Sequence, residues 1–284
     1  MSSILFIVNP AKKSYYKTPD IRISRAESDD LAGHSKTKIR AGTTNKGGEI
    51  MGLSIMNNKN CDPLPVLLKI VPKIHHGAVQ KLHDFVSKYG DHDSTHGVVH
   101  VTWVTFNSAI LVRDRELVQE RYLKMLCAAM LHDVLDAKYI LKVGGSVDAV
   151  TASMKTLLME LLSSEEGVTE VLDIAENTSF SKEKKGLLKE LPPLVQELRN
   201  VVSDGDKLEA IGFDGIARSY MFQEVFKPGD SHANWLKDTV EHCYEKLLLL
   251  REHYIRTPEG KELGLALQSE MELFCERYKE DPQV

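Results

Sequence analysis

His132 and Asp133 stand side by side at the end of the apolar helical run LKMLCAAMLHDVLDAKY. An imidazole next to a carboxylate can hold one metal ion jointly. His100 lies upstream in HGVVHVTWVTFNSAILV and Asp206 downstream in VVSDGDKLEAIGFDGIARSY. Two imidazoles and two carboxylates make a mixed nitrogen and oxygen shell suited to Mn²⁺, Fe²⁺, Zn²⁺ or Mg²⁺. Four protein ligands leave positions open on a six-coordinate ion, where water becomes acidic enough to attack near neutral pH. That chemistry is hydrolytic. A His-Asp pair at a helix end can also just satisfy the last carbonyls and cap the next turn. The metal reading therefore rests on the combination with His100 and Asp206, and on the small residues Ala210, Gly212 and Gly215, which let backbone approach a crowded site.

Helical elements must position these groups. From Val71 onward the apolar residues recur at helical spacing: Val79, Leu82, Phe85 and Val86 share one face, and Val104, Ala109, Leu111 and Val112 share another in the segment that His100 opens. The spacing predicts an amphipathic helix there, with its apolar side inward. Leu117 to Leu131 leads to the His-Asp pair, and Val147 to Leu162 follows with Ser146 as its cap. Next come VTEVLDIAEN, then LPPLVQELRNVV opened by two prolines, then a helix over DGDKLEAIG, then the long pair NWLKDTVEHCYEKLLLLREHY and EGKELGLALQSEMELFCERY. The fold class expected is all-α. Residues 1–73 read differently. SILFIV suits a short strand, but AGTTNKGGEIMG and NNKNCDPLP are turn-rich, and NKGG lacks the GxxxxGK[ST] arrangement that cradles a triphosphate. This is a small irregular N-terminal extension of no assigned role, and residues 74–281 form the catalytic domain.

The 284 residues are 42% hydrophobic, enough for one large core plus a small appendage. A net charge of −5 argues against binding nucleic acid by blanket phosphate neutralisation, so no stable nucleic-acid partner is expected and small phosphorylated substrates fit better. The four cysteines form no CxxC pair, and Cys127 and Cys243 fall in apolar helical patterns where a reduced buried thiol is the usual outcome. A reducing, cytoplasmic compartment is expected. No apolar run reaches the ~18 residues that cross a bilayer, and MSSILFIVNPAKK is too short an apolar stretch for a signal peptide. His75, His76, His83 and His92 read as surface residues, and Trp103 as core.

The order His, His-Asp, Asp on a helical scaffold resembles the HD-domain metal-dependent phosphohydrolases, and the surrounding phrases resemble their small bacterial nucleotide pyrophosphohydrolase branch. The phrases are HGVVHVTWV with His96 and His100, MLHDVLDAK, SFSKE at Ser179–Glu183, SDGDKLEAIGFDGIAR, and His242 to Leu250 followed by TPEGK. The resemblance covers roughly residues 74–281 and implies an HD-domain helical bundle. It makes His100, His132, Asp133 and Asp206 the metal ligands. Asp204 competes for the last place, but residues two apart on a helix point roughly 200° from each other, so only one can face the ion. Asp206 fits the family phrase.

Residue chemistry and spacing add expected roles around the ion, with His96 also placed by the resemblance. Asp136 would orient water or accept its proton, and His96 would donate to a phosphate or the leaving group. Lys138, Lys182 and Arg218 would bind substrate phosphate. Each has an ordinary reading beside this one: a solvated acid, a satisfied loop histidine, surface cations. The chain departs from the family phrases at Gly97, Trp103, Phe213 and Asp214, which spares every ligand and bears on substrate recognition. The resemblance implies one divalent ion, Mn²⁺ first, with Mg²⁺, Fe²⁺, Zn²⁺, Ni²⁺ or Co²⁺ as substitutes. It implies hydrolysis of a (d)NTP to (d)NMP and pyrophosphate through a metal-activated water. A 5′-nucleotidase, a phosphodiesterase of cyclic or signalling nucleotides, and a non-catalytic nucleotide-binding regulator remain open. The partner expected is a small nucleotide, with no membrane, and a homodimer is compatible with this reading.

Overall fold

The computed structural model describes residues 62–89, 97–134 and 146–280. Among them the α-helices are α1 (Pro63–Ile70), α2 (His76–Tyr89), α3 (Val98–Leu111), α4 (Gln119–Leu131), α5 (Val147–Leu162), α6 (Glu165–Glu176), α7 (Phe180–Lys184), α8 (Pro193–Glu209), α9 (Gly212–Phe226), α10 (His232–His242) and α11 (Pro258–Glu280). Among the described residues there is no strand, so the fold is all-α. α10 runs on through two π-helical turns, Cys243–Leu247 and Leu250–Tyr254. No described helix is long and apolar enough to cross a membrane. Residues 62–276 pack as one unit.

The helix starts follow local chemistry. Asp62 accepts from Leu64 N at 3.1 Å, with Pro63 in the first position of α1. Ser146 caps α5 through Ala149 N at 3.3 Å. Such caps satisfy amides that have no partner inside the helix. α3 is the central element, with α1, α4 and α8 packed around it. It is not the amphipathic helix that its sequence predicts: every residue from His100 to Ala109 is buried. Its polar residues are satisfied internally, because Thr102, Thr105 and Ser108 turn their hydroxyls back to Val98 O, Val101 O and Val104 O at 2.6, 2.7 and 2.8 Å. A hydroxyl closed on its own helix leaves that face as apolar as a valine. His75 also departs from expectation: it is buried, its ring stacked on Tyr122 at 5.4 Å. Trp103 is core, and Cys127 and Cys243 are buried free thiols.

α8 unites two segments that the sequence presents as separate helices, so Asp204-Gly205-Asp206 lies inside a helix and not at its start. The glycine is there for contact. A Cβ on Gly205 would stand 2.5 Å from Ser108 Oγ and 2.9 Å from Val104 O, both on α3. Asn107 fixes the same approach by donating to Gly205 O at 3.0 Å. Asp204 points away from α3 toward the turn before α11. Its carboxylate accepts from Arg256 N at 2.9 Å, Thr257 N at 2.6 Å and Thr257 Oγ1 at 2.7 Å.

Behind α8, Glu183 of α7 gathers three cations: Lys207 at 2.9 Å, Arg199 at 3.1 Å and Arg256 at 2.9 Å, with its own side chain only 5% exposed. Burial alone would raise this carboxyl's pKa, but Lys207, Arg256 and Arg199 outweigh it and pull the value down to about 2.

Two stability predictions follow from this packing. Gly205→Ala should cost about 1–3 kcal/mol by overpacking, lowering Tm by roughly 2–4 °C per kcal/mol. A rise in Tm, as for alanine in an uncrowded helix, would show that the backbones are not in contact. Because the folded pKa of Glu183 lies below its unfolded value, its contribution is complete above about pH 4.5 and is lost as pH falls toward 2. That contribution is on the order of 3 kcal/mol. Urea midpoints from pH 6 to pH 2 should fall less steeply in Glu183→Gln than in the wild type.

Candidate metal centre

Three helices bring the candidate ligands together. His100 sits in the first turn of α3, His132 caps the end of α4 with Asp133 next to it, and Asp206 lies in the last turn of α8. His100 Nε2 is 3.4 Å from Asp206 Oδ1 and 3.5 Å from Asp133 Oδ2. His132 Nε2 is 3.5 Å from Asp133 Oδ1 and 3.9 Å from Asp206 Oδ1. Donor atoms about 2.1 Å from one ion and about 90–110° apart lie roughly 3.0–3.4 Å from each other. The separations of 3.4, 3.5 and 3.5 Å match this closely, and the His132–Asp206 separation of 3.9 Å is about half an ångström longer.

The ring nitrogens are oriented for the same purpose. His132 Nδ1 lies 2.9 Å from Ala129 O, a partner that can only accept, so the proton belongs on Nδ1. That leaves Nε2 as a bare lone pair, buried and with no hydrogen-bond partner. An orphaned buried acceptor is costly unless something fills its place, and a cation facing two carboxylates and a second imidazole would do so. His100 repeats the arrangement with Nδ1 3.0 Å from Glu209 Oε2, leaving Nε2 to face the cluster. Glu209 in turn pairs with Arg218. A carboxylate behind a histidine fixes its tautomer and raises its basicity as a ligand. Burial pushes the Asp206 carboxyl upward, but the His100 hydrogen bond and the nearby His132 hold it well below the usual carboxylate range. It is therefore ionised, as a ligand must be. The donor set fits a divalent ion.

A cavity of about 260 Å³ opens beside the cluster. Arg218, Ser219 and Phe222 of α9 line one side, and His242, Lys246 and Leu247 the other. Arg218 joins cavity to cluster, with Nη1 3.4 Å from His100 Nδ1. Lys246 lies within electrostatic reach of Asp206, its ammonium 4.8 Å from the centre of the Phe180 ring. Burial lowers the Lys246 pKa, and Asp206 opposes that shift.

Among the expected substrate contacts, Arg218 is thus at the site. Lys182 is engaged elsewhere, its ammonium 3.0 Å from Glu176 in an exposed pair. His96, Asp136 and Lys138 lie outside the described residues. Sequence reasoning gave no role to Glu209 or Lys246. The available signals were spacing: Glu209 stands one turn after Asp206, and Lys246 one turn after His242. At the departures, Trp103 is buried with its ring edge-on to Phe106 at 5.4 Å. Phe213 is partly exposed and does not line the cavity, and its amide donates to Glu270 at 3.1 Å.

Among solved structures, a Lactobacillus plantarum protein matches with 24% identity and a TM-score of 0.54, over 74% of this chain and 98% of its own. An HD-superfamily hydrolase from Bacillus thuringiensis matches with 24% identity and a TM-score of 0.53, over 73% of this chain and 98% of its own. Bacillus subtilis YpgQ in complex with ADP matches with 22% identity and a TM-score of 0.54, over 72% of this chain and 97% of its own. The chain has the HD-domain fold. No protein-family model matches its sequence, and a comparison with curated proteins gives no match. The cluster joins a histidine of the central helix, the His-Asp dipeptide and an aspartate late in α8.

Glu209→Gln removes the charge behind His100 while keeping its shape. It should weaken Mn²⁺ binding by about 10–100-fold, the usual cost of losing such a partner, as read by titration calorimetry. Unchanged affinity would mean that Glu209 serves Arg218 alone.

Proposed function

We propose that this chain is a metal-dependent phosphohydrolase acting on nucleotides, cutting a (d)NTP between the α and β phosphorus to give (d)NMP and pyrophosphate. The observation that carries this reading is the buried, unpartnered Nε2 of His132, within 3.5 Å of Asp133 and 3.9 Å of Asp206. His100, His132, Asp133 and Asp206 would hold one divalent ion, Mn²⁺ first. Bound there, it supplies the Lewis acidity that makes water nucleophilic near neutral pH.

The chain's own residues prepare the rest. Ala129 O and Glu209 keep the imidazole protons on Nδ1, so both Nε2 lone pairs face inward. Arg218 and Lys246 place positive charge beside the cluster, where a phosphate must lie and where negative charge grows during its transfer. We assign Asp136 to accept the proton of the attacking water and His96 to donate to the departing oxygen. The HD-superfamily hydrolase and the ADP complex among the structural neighbours support a phosphorylated nucleotide as substrate.

A panel of NTPs, dNTPs and cyclic nucleotides incubated with the full chain and Mn²⁺ should yield monophosphate and pyrophosphate. EDTA should abolish turnover, and His132→Ala and Asp133→Ala should reduce it to background while helical circular dichroism persists. Orthophosphate alone would indicate a 5′-nucleotidase, and ring-opened monophosphate a cyclic phosphodiesterase. Nucleotide binding with no turnover across the panel would replace the enzyme with a regulator.

A further inference from the structure

The cavity beside the cluster is ordered from a charged end to an aromatic end. One wall is a single face of α9, because Gly215, Arg218, Ser219, Phe222 and Gln223 recur at spacings of three and four. Arg218, by its contacts with Glu209 and His100, marks the end nearest the metal ligands. Phe222 follows four residues later, about 6 Å further along the helix axis. The facing wall supplies Lys246, on the same side as Asp206 and Arg218 by its electrostatic contacts.

Phe222 is 39% exposed, and its ring stacks on that of Phe226 with centroids 4.1 Å apart and planes 24° from parallel. Phe226 covers one face of the ring and is not a cavity residue, whereas Phe222 itself lines the cavity. A solvent-facing aromatic beside a cationic recess presents a platform for a planar group. Next to it, Gln223 offers both a donor and an acceptor, which suits the edge of a heteroaromatic ring.

We propose that this cavity is a nucleoside subsite, in which Phe222 stacks on the planar base of a nucleotide whose phosphates are held by Arg218 and Lys246. The proposal rests on the phosphohydrolase reading, and it locates base recognition on α9. It explains why one molecule could bridge the two ends: the helical turn between Arg218 and Phe222 is the span that a sugar provides between phosphate and base. Stacking of a base on an aromatic side chain is sequence-tolerant, and its loss on substitution to alanine weakens binding by about 10-fold.

The test is equilibrium titration of the full chain with ADP and, separately, with inorganic pyrophosphate, both in EDTA so that hydrolysis is off. The wild type should bind ADP more tightly than pyrophosphate. Phe222→Ala should weaken ADP by about 10-fold with less than about a 2-fold effect on pyrophosphate, and Phe222→Trp should retain ADP affinity. Thermal melts confirm that both variants fold, as expected for an exposed position. Equal losses for the two ligands, no loss for ADP, or no preference for ADP in the wild type would each overturn the subsite, while Mn²⁺-dependent turnover would still uphold the enzyme. ADP affinity that depends on Phe222, in a chain without turnover, would uphold the subsite and overturn the hydrolase. Failure of both ADP binding and turnover would overturn the two together.

Discussion

The contact between α3 and α8 at Gly205 sets the distance on which the whole centre depends. With no side chain at 205, the two backbones approach until Val104 O and Ser108 Oγ occupy the space that a Cβ would need. Helices kept a methyl group further apart would carry Asp206 away from His100 by more than the few tenths of an ångström that metal coordination tolerates. The same glycine separates two aspartates that work in opposite directions. Residues 204 and 206 are turned roughly 200° apart on the helix, so Asp204 fastens the turn at Arg256 and Thr257 while Asp206 faces the histidines. One short segment thereby positions the candidate ligand and braces the helix that carries it.

Such a centre concentrates negative charge. Asp133, Asp206 and Glu209 converge on two histidines, and a cluster of this kind is held together by the cations around it. Arg218 answers Glu209, and on the far side of α8 Lys207 answers Glu183 together with Arg199 and Arg256. The two networks are separate in what they touch and adjacent in sequence, since Lys207 directly follows Asp206. Paired and hydrogen-bonded in this way, buried charge specifies which face of α8 points where, even where it adds little net stability.

Much of this was legible in the residues. Ligand types and their order brought out the residues that cluster at the candidate metal centre, helical periodicity gave the all-α class, and the Ser146 cap and the start of α8 at Pro193 were readable from local chemistry. What escaped is what depends on neighbours distant in sequence. α3 looks one-sided because Thr and Ser count as polar, yet their hydroxyls close on their own helix and the whole element is core. α8 looked like two helices because Asp-Gly-Asp resembles a break, and only contact with Ser108 and Asn107 explains glycine in its interior. In the SFSKE phrase the exposed Lys182 drew notice as a phosphate contact, whereas the buried member with three partners is Glu183. Nothing in a five-residue phrase tells which side chain turns inward.

Lys246 shows how local backbone geometry feeds the site. It lies in the π-helical turn Cys243–Leu247, where the wider spiral shifts side chains relative to a regular helix, a distortion frequent at functional positions. Its ammonium is drawn into a half-buried place over the face of Phe180, whose π-electrons replace part of the lost water. The replacement is incomplete, since burial still leaves its pKa below the ordinary lysine range. A cation short of solvation beside Asp206 and Arg218 gains more from an incoming phosphate than a surface lysine would, because less water has to be removed to make the contact. The cost of holding Lys246 in that place would be returned when an anion arrives, so the α10 extension would add to the proposed phosphate binding without supplying a candidate metal ligand.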